Sequence, residues 1–203
     1  MALLNPSTSR RPGLASLRAG RRRGFALVAA AVVAAGWPAS LRAQRSLEYE
    51  VKAAFLFNFV QFVEWPGESL RAGEPFRICL TAENPFGGVL ERTVSGELAA
   101  GRPIEIETIA PEAPPSRCQV LFVPRTLAAR EPAILRLVGT LPILTVGESA
   151  RFLDSGGLVN FVVEGGHVRF DINADGAAAR GLRISSKLLR VARSTGGSDR
   201  REP

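Results

Sequence analysis

The longest ordered pattern of apolar and polar positions runs from Ser46 to Trp65, SLEYEVKAAFLFNFVQFVEW, and stops at Pro66-Gly67. At about 100° per residue, Ser46, Glu50, Asn58, Gln61 and Glu64 fall in one polar stripe. Val51, Phe55, Leu56, Phe59, Val60, Phe62 and Val63 occupy the remaining arc. The spacing predicts a helix over 46–64 that is covered on most sides. Ser46 suits its N-cap, Glu48 and Glu50 suit the positive end of its dipole, and Pro66 pushes Trp65 out of helical conformation. Phe57 interrupts the polar stripe beside Asn58 and Gln61, with the small Ala54 next to it. A neighbouring element or a second polypeptide is therefore expected on that side, and a single exposed phenylalanine is the plainer alternative.

Farther along, Pro75 to Leu80 alternates as a strand, and Phe86 to Val94 has the spacing of a short helix entered through Gly87-Gly88. Arg102 to Ile109 alternates isoleucine with glutamate, the signature of a half-exposed strand near an edge. Cys118 to Val123 and Pro142 to Val146 are continuous apolar runs, which implies strands covered on both faces. The amphipathic helix predicted at Glu131 to Val138 joins them. Leu158 to Val163 and His167 to Ile172 form a hairpin across Glu164-Gly165-Gly166. Asn173 caps a short helix to Arg180, Leu182 to Ile184 is extended, and Ser185 caps a last helix. The order predicts an α/β fold: a single compact domain with a mixed, mostly parallel sheet of about six strands flanked by helices on both faces.

The chain has 203 residues and a formal charge of +7, but that charge belongs to its opening. Arg18, Arg21, Arg22 and Arg23 precede an apolar run from Phe25 to Ala35 that is too short to span a bilayer. Trp37-Pro38 breaks the run, and Leu41-Arg42-Ala43 offers a cleavage point after Ala43. A cleavable signal peptide is expected over 1–43, with an uncleaved anchor as the alternative, then a folded domain over 44–193 and a disordered tail over 194–203. Arg22-Arg23 also fits a twin-arginine signal, so the export route stays open. The expected location is the periplasm. Without the leader, nineteen bases balance nineteen acids. The mature surface gives no electrostatic reason to bind nucleic acid.

Cys79 and Cys118 are the only cysteines, and in an exported chain such a pair reads as a disulfide, two buried free thiols being the alternative. Two cysteines and the single His167 do not make a metal site of accepted spacing. His167 opens a hairpin strand, where a turn-proximal, exposed role outweighs catalysis. Ser185-Ser186-Lys187 is explained by capping. Glu148 and Ser149 follow a buried strand, at the end of the sheet where α/β proteins place ligands, and are the candidate ligand contacts. An ordinary loop capping the next turn is the plainer reading of Gly147-Glu148-Ser149. No catalytic set, metal or cofactor is expected.

Four motifs in order resemble the YfiR/HmsC-like family of exported bacterial regulators. They are Glu48-Tyr49-x-Val51-Lys52-Ala53-Ala54-Phe55-Leu56-x-Asn58-Phe59-x-x-Phe62-Val63-x-Trp65-Pro66; Phe76 to Leu80; Pro142 to Glu148; and Gly157 to Phe161 through Phe170-Asp171-Ile172-Asn173 to Gly181-Leu182-x-Ile184-Ser185-Ser186-Lys187-Leu188-Leu189. The resemblance implies a small periplasmic α/β protein that is not an enzyme. It implies repression of an inner-membrane signalling protein, a diguanylate cyclase above all, through binding to its periplasmic region, and hence control of cyclic di-GMP and biofilm formation. It also implies an outer-membrane lipoprotein as a further partner. A small-molecule-binding accessory protein for a sensor kinase or outer-membrane receptor is the alternative. Cys79 and Cys118 fall where such proteins carry a cysteine pair; a second pair known in the family has no counterpart here. Ala54, Phe57, Asn58, Gln61 and Glu64 are the expected partner-binding or homodimer strip.

Overall fold

The computed structural model describes residues 44–196, so the leader expected over 1–43 and the last seven residues lie outside the described residues. A long helix, α1, covers residues 44–62. It is followed by β1 (Val63–Glu64), β2 (Phe76–Thr81), α2 (Val89–Val94), β3 (Leu98–Ala99), β4 (Arg102–Ile109) and β5 (Val120–Val123). Then come α3 (Glu131–Val138), β6 (Leu144–Gly147), β7 (Val159–Glu164), β8 (His167–Ile172), α4 (Ala174–Ala179), β9 (Arg183–Ile184) and α5 (Ser186–Val191). Seven strands form one sheet in the order β3-β4-β2-β5-β6-β7-β8. The five inner strands are parallel, and an antiparallel strand closes each edge. This is the expected α/β architecture, with β5 and β6 central, parallel and joined through α3.

The two faces of the sheet are covered unequally. On one side α1, α2, α4 and α5 pack over a core that includes Leu56, Phe59, Phe76, Phe122, Phe161 and Phe170. The Phe59 ring lies 5.0 Å from that of Phe170, edge to face, and 5.7 Å from that of Phe161. On the other side α3 supplies Ile134, Leu135 and Val138 over Leu121, Val123 and the Cys79–Cys118 disulfide. Phe152, also fully buried there, is held in an otherwise irregular loop. A Cβ added at Gly147 or at Gly157 would stand 2.3 Å from its ring. Those two positions must be glycine for the ring to enter, and the ring in turn sets the course of the loop that starts at Glu148.

The departures from the sequence-based expectations cluster at α1. The helix begins before Ser46, which lies within it and is not its cap, and it ends at Phe62. Val63 and Glu64, expected as its last turn, instead pair antiparallel with Ile184 and Arg183. Only one side of α1 meets the sheet, so the apolar Leu47, Val51 and Phe62 stay exposed while Lys52 is fully buried. Strand β3 was not anticipated, because two residues carry no periodicity. Near the other end, the Ile172 N–H donates to the Ser194 carbonyl and the Arg193 N–H to Phe170. Residue 194, expected to begin the tail, thus bridges to β8 at Asp171. Asn173 caps α4 and Ser185 caps α5 as expected.

The disulfide ties β2 to the residues leading into β5 and closes 39 residues of chain. In the loop-entropy account such a link contributes roughly 4 kcal/mol. Cys79→Ala should therefore lower the unfolding free energy by about 2–5 kcal/mol in urea titration, relative to the unreduced protein. Thiol assay of the denatured, unreduced chain should find no free thiol; two per chain would contradict the bridge.

Candidate functional site

Tyr49 and Lys52, three residues apart on α1, project to the same side of the helix, over the carboxyl ends of β5 and β6. Glu148 leaves the end of β6 directly beneath them, and Arg125 follows the end of β5 after Pro124. The Lys52 ammonium, with no exposed surface, lies between the Glu148 and Glu48 carboxylates and donates to both. Glu148 Oε1 accepts from the Tyr49 hydroxyl at 2.9 Å and from the Arg125 backbone N–H at 2.9 Å. The Arg125 guanidinium completes the group, with Nη2 3.4 Å from Glu48 Oε1 and Nε 4.0 Å from Glu148 Oε1. Lys52 Nζ also stands 4.7 Å from the centre of the Tyr49 ring. Two cations thus meet two carboxylates, and the cluster is neutral.

This arrangement is structural in its chemistry. A buried ion pair loses several kcal/mol of hydration per ion, which its mutual attraction and hydrogen bonds roughly offset. Its larger consequence is geometric, because α1 can seat on the sheet only where Lys52 reaches Glu148. Burial first, and then the Glu148 carboxylate, push the Tyr49 phenol well above its ordinary value. No solvent reaches the Lys52 side chain, so a substrate cannot meet it without α1 moving away. The expected ligand contacts therefore separate. Glu148 lies inside, occupied by three partners from two segments of the chain, Tyr49 and Lys52 on α1 and Arg125 after β5. The Ser149 hydroxyl points the other way and donates to Glu131 Oε2 at 2.7 Å.

Ser149 and Glu131 line a cleft of about 440 Å³ with Pro132, Arg151 and Ser155. Glu131 is buried, its second carboxylate oxygen has no hydrogen-bond partner, and burial pushes its carboxyl up against the opposing pull of Ser149. A second depression, about 360 Å³, lies between α1 and the β7–β8 hairpin, lined by Leu47, Val51, Phe55, Val163, His167 and Val168. Leu47 is 61% and Val163 43% exposed, an apolar strip that the fold leaves uncovered. His167 is exposed at the turn end of the hairpin.

The strip expected around Phe57 is only partly outward. Ala54 and Asn58 are exposed, whereas Phe57 is half-buried and packs on the core. Gln61 is exposed but donates from Nε2 to the Leu98 carbonyl at 2.8 Å. Glu64 pairs with Arg183 across β1 and β9. Sequence reasoning did not single out Tyr49, Lys52 or Arg125 as a group. One signal was present: at helical spacing Lys52 falls between Leu56 and Phe59, in the middle of the apolar arc.

A family model described as YfiR/HmsC-like matches residues 49–193. The chain belongs to the YfiR/HmsC-like family. Its matched region spans both halves of the buried cluster, from Tyr49 to beyond Glu148. No curated protein matches the chain. Two solved structures show looser likeness. One is a conserved domain protein from Vibrio cholerae O1 biovar eltor, at 13% identity and TM-score 0.46, covering 59% of this chain and 54% of that one. The other is an ABC domain from Streptococcus pneumonia in complex with L-Trp, at 15% identity and TM-score 0.44, covering 59% and 55%. The chain thus spans just over half the length of either, and neither likeness bears on function.

Two outcomes test the cluster. Tyr49 is the only tyrosine, so the ultraviolet phenolate signal reports it alone. Because its folded pKa is raised, the stability gained from the neutral phenol is intact below the unfolded value of about 10 and falls as pH rises beyond it. The native protein should show no phenolate absorbance as pH passes about 10, while the chain in urea titrates there; coincident curves would contradict the buried hydrogen bond. Lys52→Ala should cost about 3–5 kcal/mol by leaving Glu148 uncompensated, and Lys52→Met with Glu148→Leu should recover most of it. Equal losses in both variants would show that the ion pair itself stabilises the fold.

Proposed function

We propose that the protein is a periplasmic regulator that binds the periplasmic region of an inner-membrane diguanylate cyclase and holds it inactive, limiting cyclic di-GMP and biofilm formation. The observation that carries this reading is membership of the YfiR/HmsC-like family across residues 49–193, whose members act as exported bacterial regulators. The regulator acts by occupying its partner and carries out no catalysis. Release follows when an outer-membrane lipoprotein draws it away.

The outward side of α1 supports this reading as the contact surface. Leu47, Val51 and Phe62 remain exposed on a helix whose inner side is pinned by the Lys52 cluster, so the apolar surface is presented on a rigid support. Ala54 and Asn58 lie on the same exposed side and allow close approach, and Phe57 flanks them. A second reading, a small-molecule accessory protein, is favoured by one observation alone, the cleft beside Ser149 with its half-satisfied Glu131.

Ala54→Arg tests the first reading without disturbing the core. Binding to the cyclase periplasmic domain should weaken by about 2 kcal/mol, cellular cyclic di-GMP should rise, and the melting temperature should hardly move. Phe57→Glu should weaken binding similarly and, because Phe57 is half-buried, lower stability as well. Unchanged affinity in Ala54→Arg would remove α1 from the interface.

A further inference from the structure

The sheet edge opposite the hairpin is open. Among the described residues, β3 alone pairs with the outer side of β4, and only at Arg102 and Pro103. The Ala82 N–H donates to the Ile109 carbonyl at 2.9 Å, which turns Ile109 toward β2. By the alternation of a strand, the backbone groups of Ile104, Ile106 and Thr108 face outward. The outward donors and acceptors of these three residues, unpaired among the described residues, are a template for a further strand.

The side chains specify what strand would fit. On one face Ile104 and Ile106 are half-buried at the floor of a groove of about 380 Å³, walled by Val94 and Leu98, with Glu91 and Glu97 at its mouth. Leu98 is 56% exposed there. On the other face Glu105 and Glu107 stand 60% and 49% exposed and share one guanidinium, that of Arg77, at 3.9 and 3.7 Å. Arg77 is already hydrogen-bonded to Glu74 at 2.8 Å. Arg102 does not offset them, since its guanidinium donates to the carbonyls of Leu70, Arg71 and Glu74. Arg71 and Arg117 stand 4.0 and 3.7 Å from Glu74, so among the described residues Arg77 is the one cation paired with Glu105 and Glu107, and exposed carboxylates border the apolar floor on both faces of the edge.

A second copy of this chain is a poor occupant. Antiparallel pairing of two such edges about Ile106 sets Glu105 opposite the other copy's Glu107, and pairing about Glu105 sets that residue opposite itself. Like charges directly across a strand pair are destabilising. We propose that the outer edge of β4 receives an extended segment of a partner polypeptide in which basic and apolar residues alternate. The partner's apolar side chains enter the groove over Ile104 and Ile106, its basic side chains meet Glu105 and Glu107, and its main chain bonds to Ile104, Ile106 and Thr108.

The test is an NMR titration of the protein with two capped heptapeptides, KVKVKVK and EVEVEVE. The lysine peptide should shift the amide signals of Ile104, Ile106 and Thr108 and slow their hydrogen exchange, and the glutamate peptide should bind about tenfold more weakly or not at all. Glu105→Lys with Glu107→Lys, two exposed sites that leave the core intact, should reverse the preference. The proposal is overturned if neither peptide acts at these amides or if both act equally. It is also overturned if the amides become protected with rising protein concentration alone, which would make a second copy the occupant.

Discussion

The Lys52 ammonium sits inside the protein with carboxylates on two sides, and the position of the longest helix depends on it. Apolar contacts alone would let α1 slide or rotate over a floor of phenylalanines at little cost, since such contacts are non-directional. The ion pair removes that freedom. Displacing α1 by a turn would leave Lys52 and Glu148 desolvated and unpaired, a cost of several kcal/mol that no repacking of Phe59 against Phe161 and Phe170 could offset. A cluster that adds little net stability can therefore still select one arrangement among several.

Glu148 can play this part because of the other face of the sheet. Its loop is held by Phe152, whose ring fills the space left by Gly147 and Gly157, and that ring packs in the same core as α3 and the Cys79–Cys118 bridge. A chain of contacts thus runs from the disulfide through the α3 core and the Phe152 loop to Glu148 and on to α1. The covalent link and the ion pair act on opposite faces of one sheet. The ion pair holds the carboxyl ends of β5 and β6, and the disulfide holds the residues leading into β5.

A rigid inner side leaves α1 with an outer side available for other contacts, and the protein offers three such regions with different chemistry. The strip between α1 and the hairpin is apolar, the cleft beside Ser149 sets Glu131, Arg151 and Ser155 among alanines and a proline, and the β4 edge carries carboxylates and, among the described residues, unpaired backbone groups. They lie far enough apart in the strand order for different occupants to be bound without sharing residues.

The amino-acid pattern by itself determined the order of the elements other than the two-residue strands β1 and β3, the parallel centre of the sheet, the hairpin and the caps at Asn173 and Ser185. These follow from local periodicity and turn chemistry, which act within a few residues. The half-exposed alternation of 102–109 was visible for the same reason. It also located the helix at 46–64 within two residues at each end, but not which side of it is buried. Seven apolar positions around most of the circumference suggested cover on most sides, and the sheet covers only one. Val51 and Phe62 came out exposed, and a lysine took the innermost position. That outcome depends on Glu148, ninety-six residues away, arriving beneath Lys52. No local rule relates residues so far apart, and the burial of a charge becomes favourable only when its partner is already in place, so tertiary structure alone decided it.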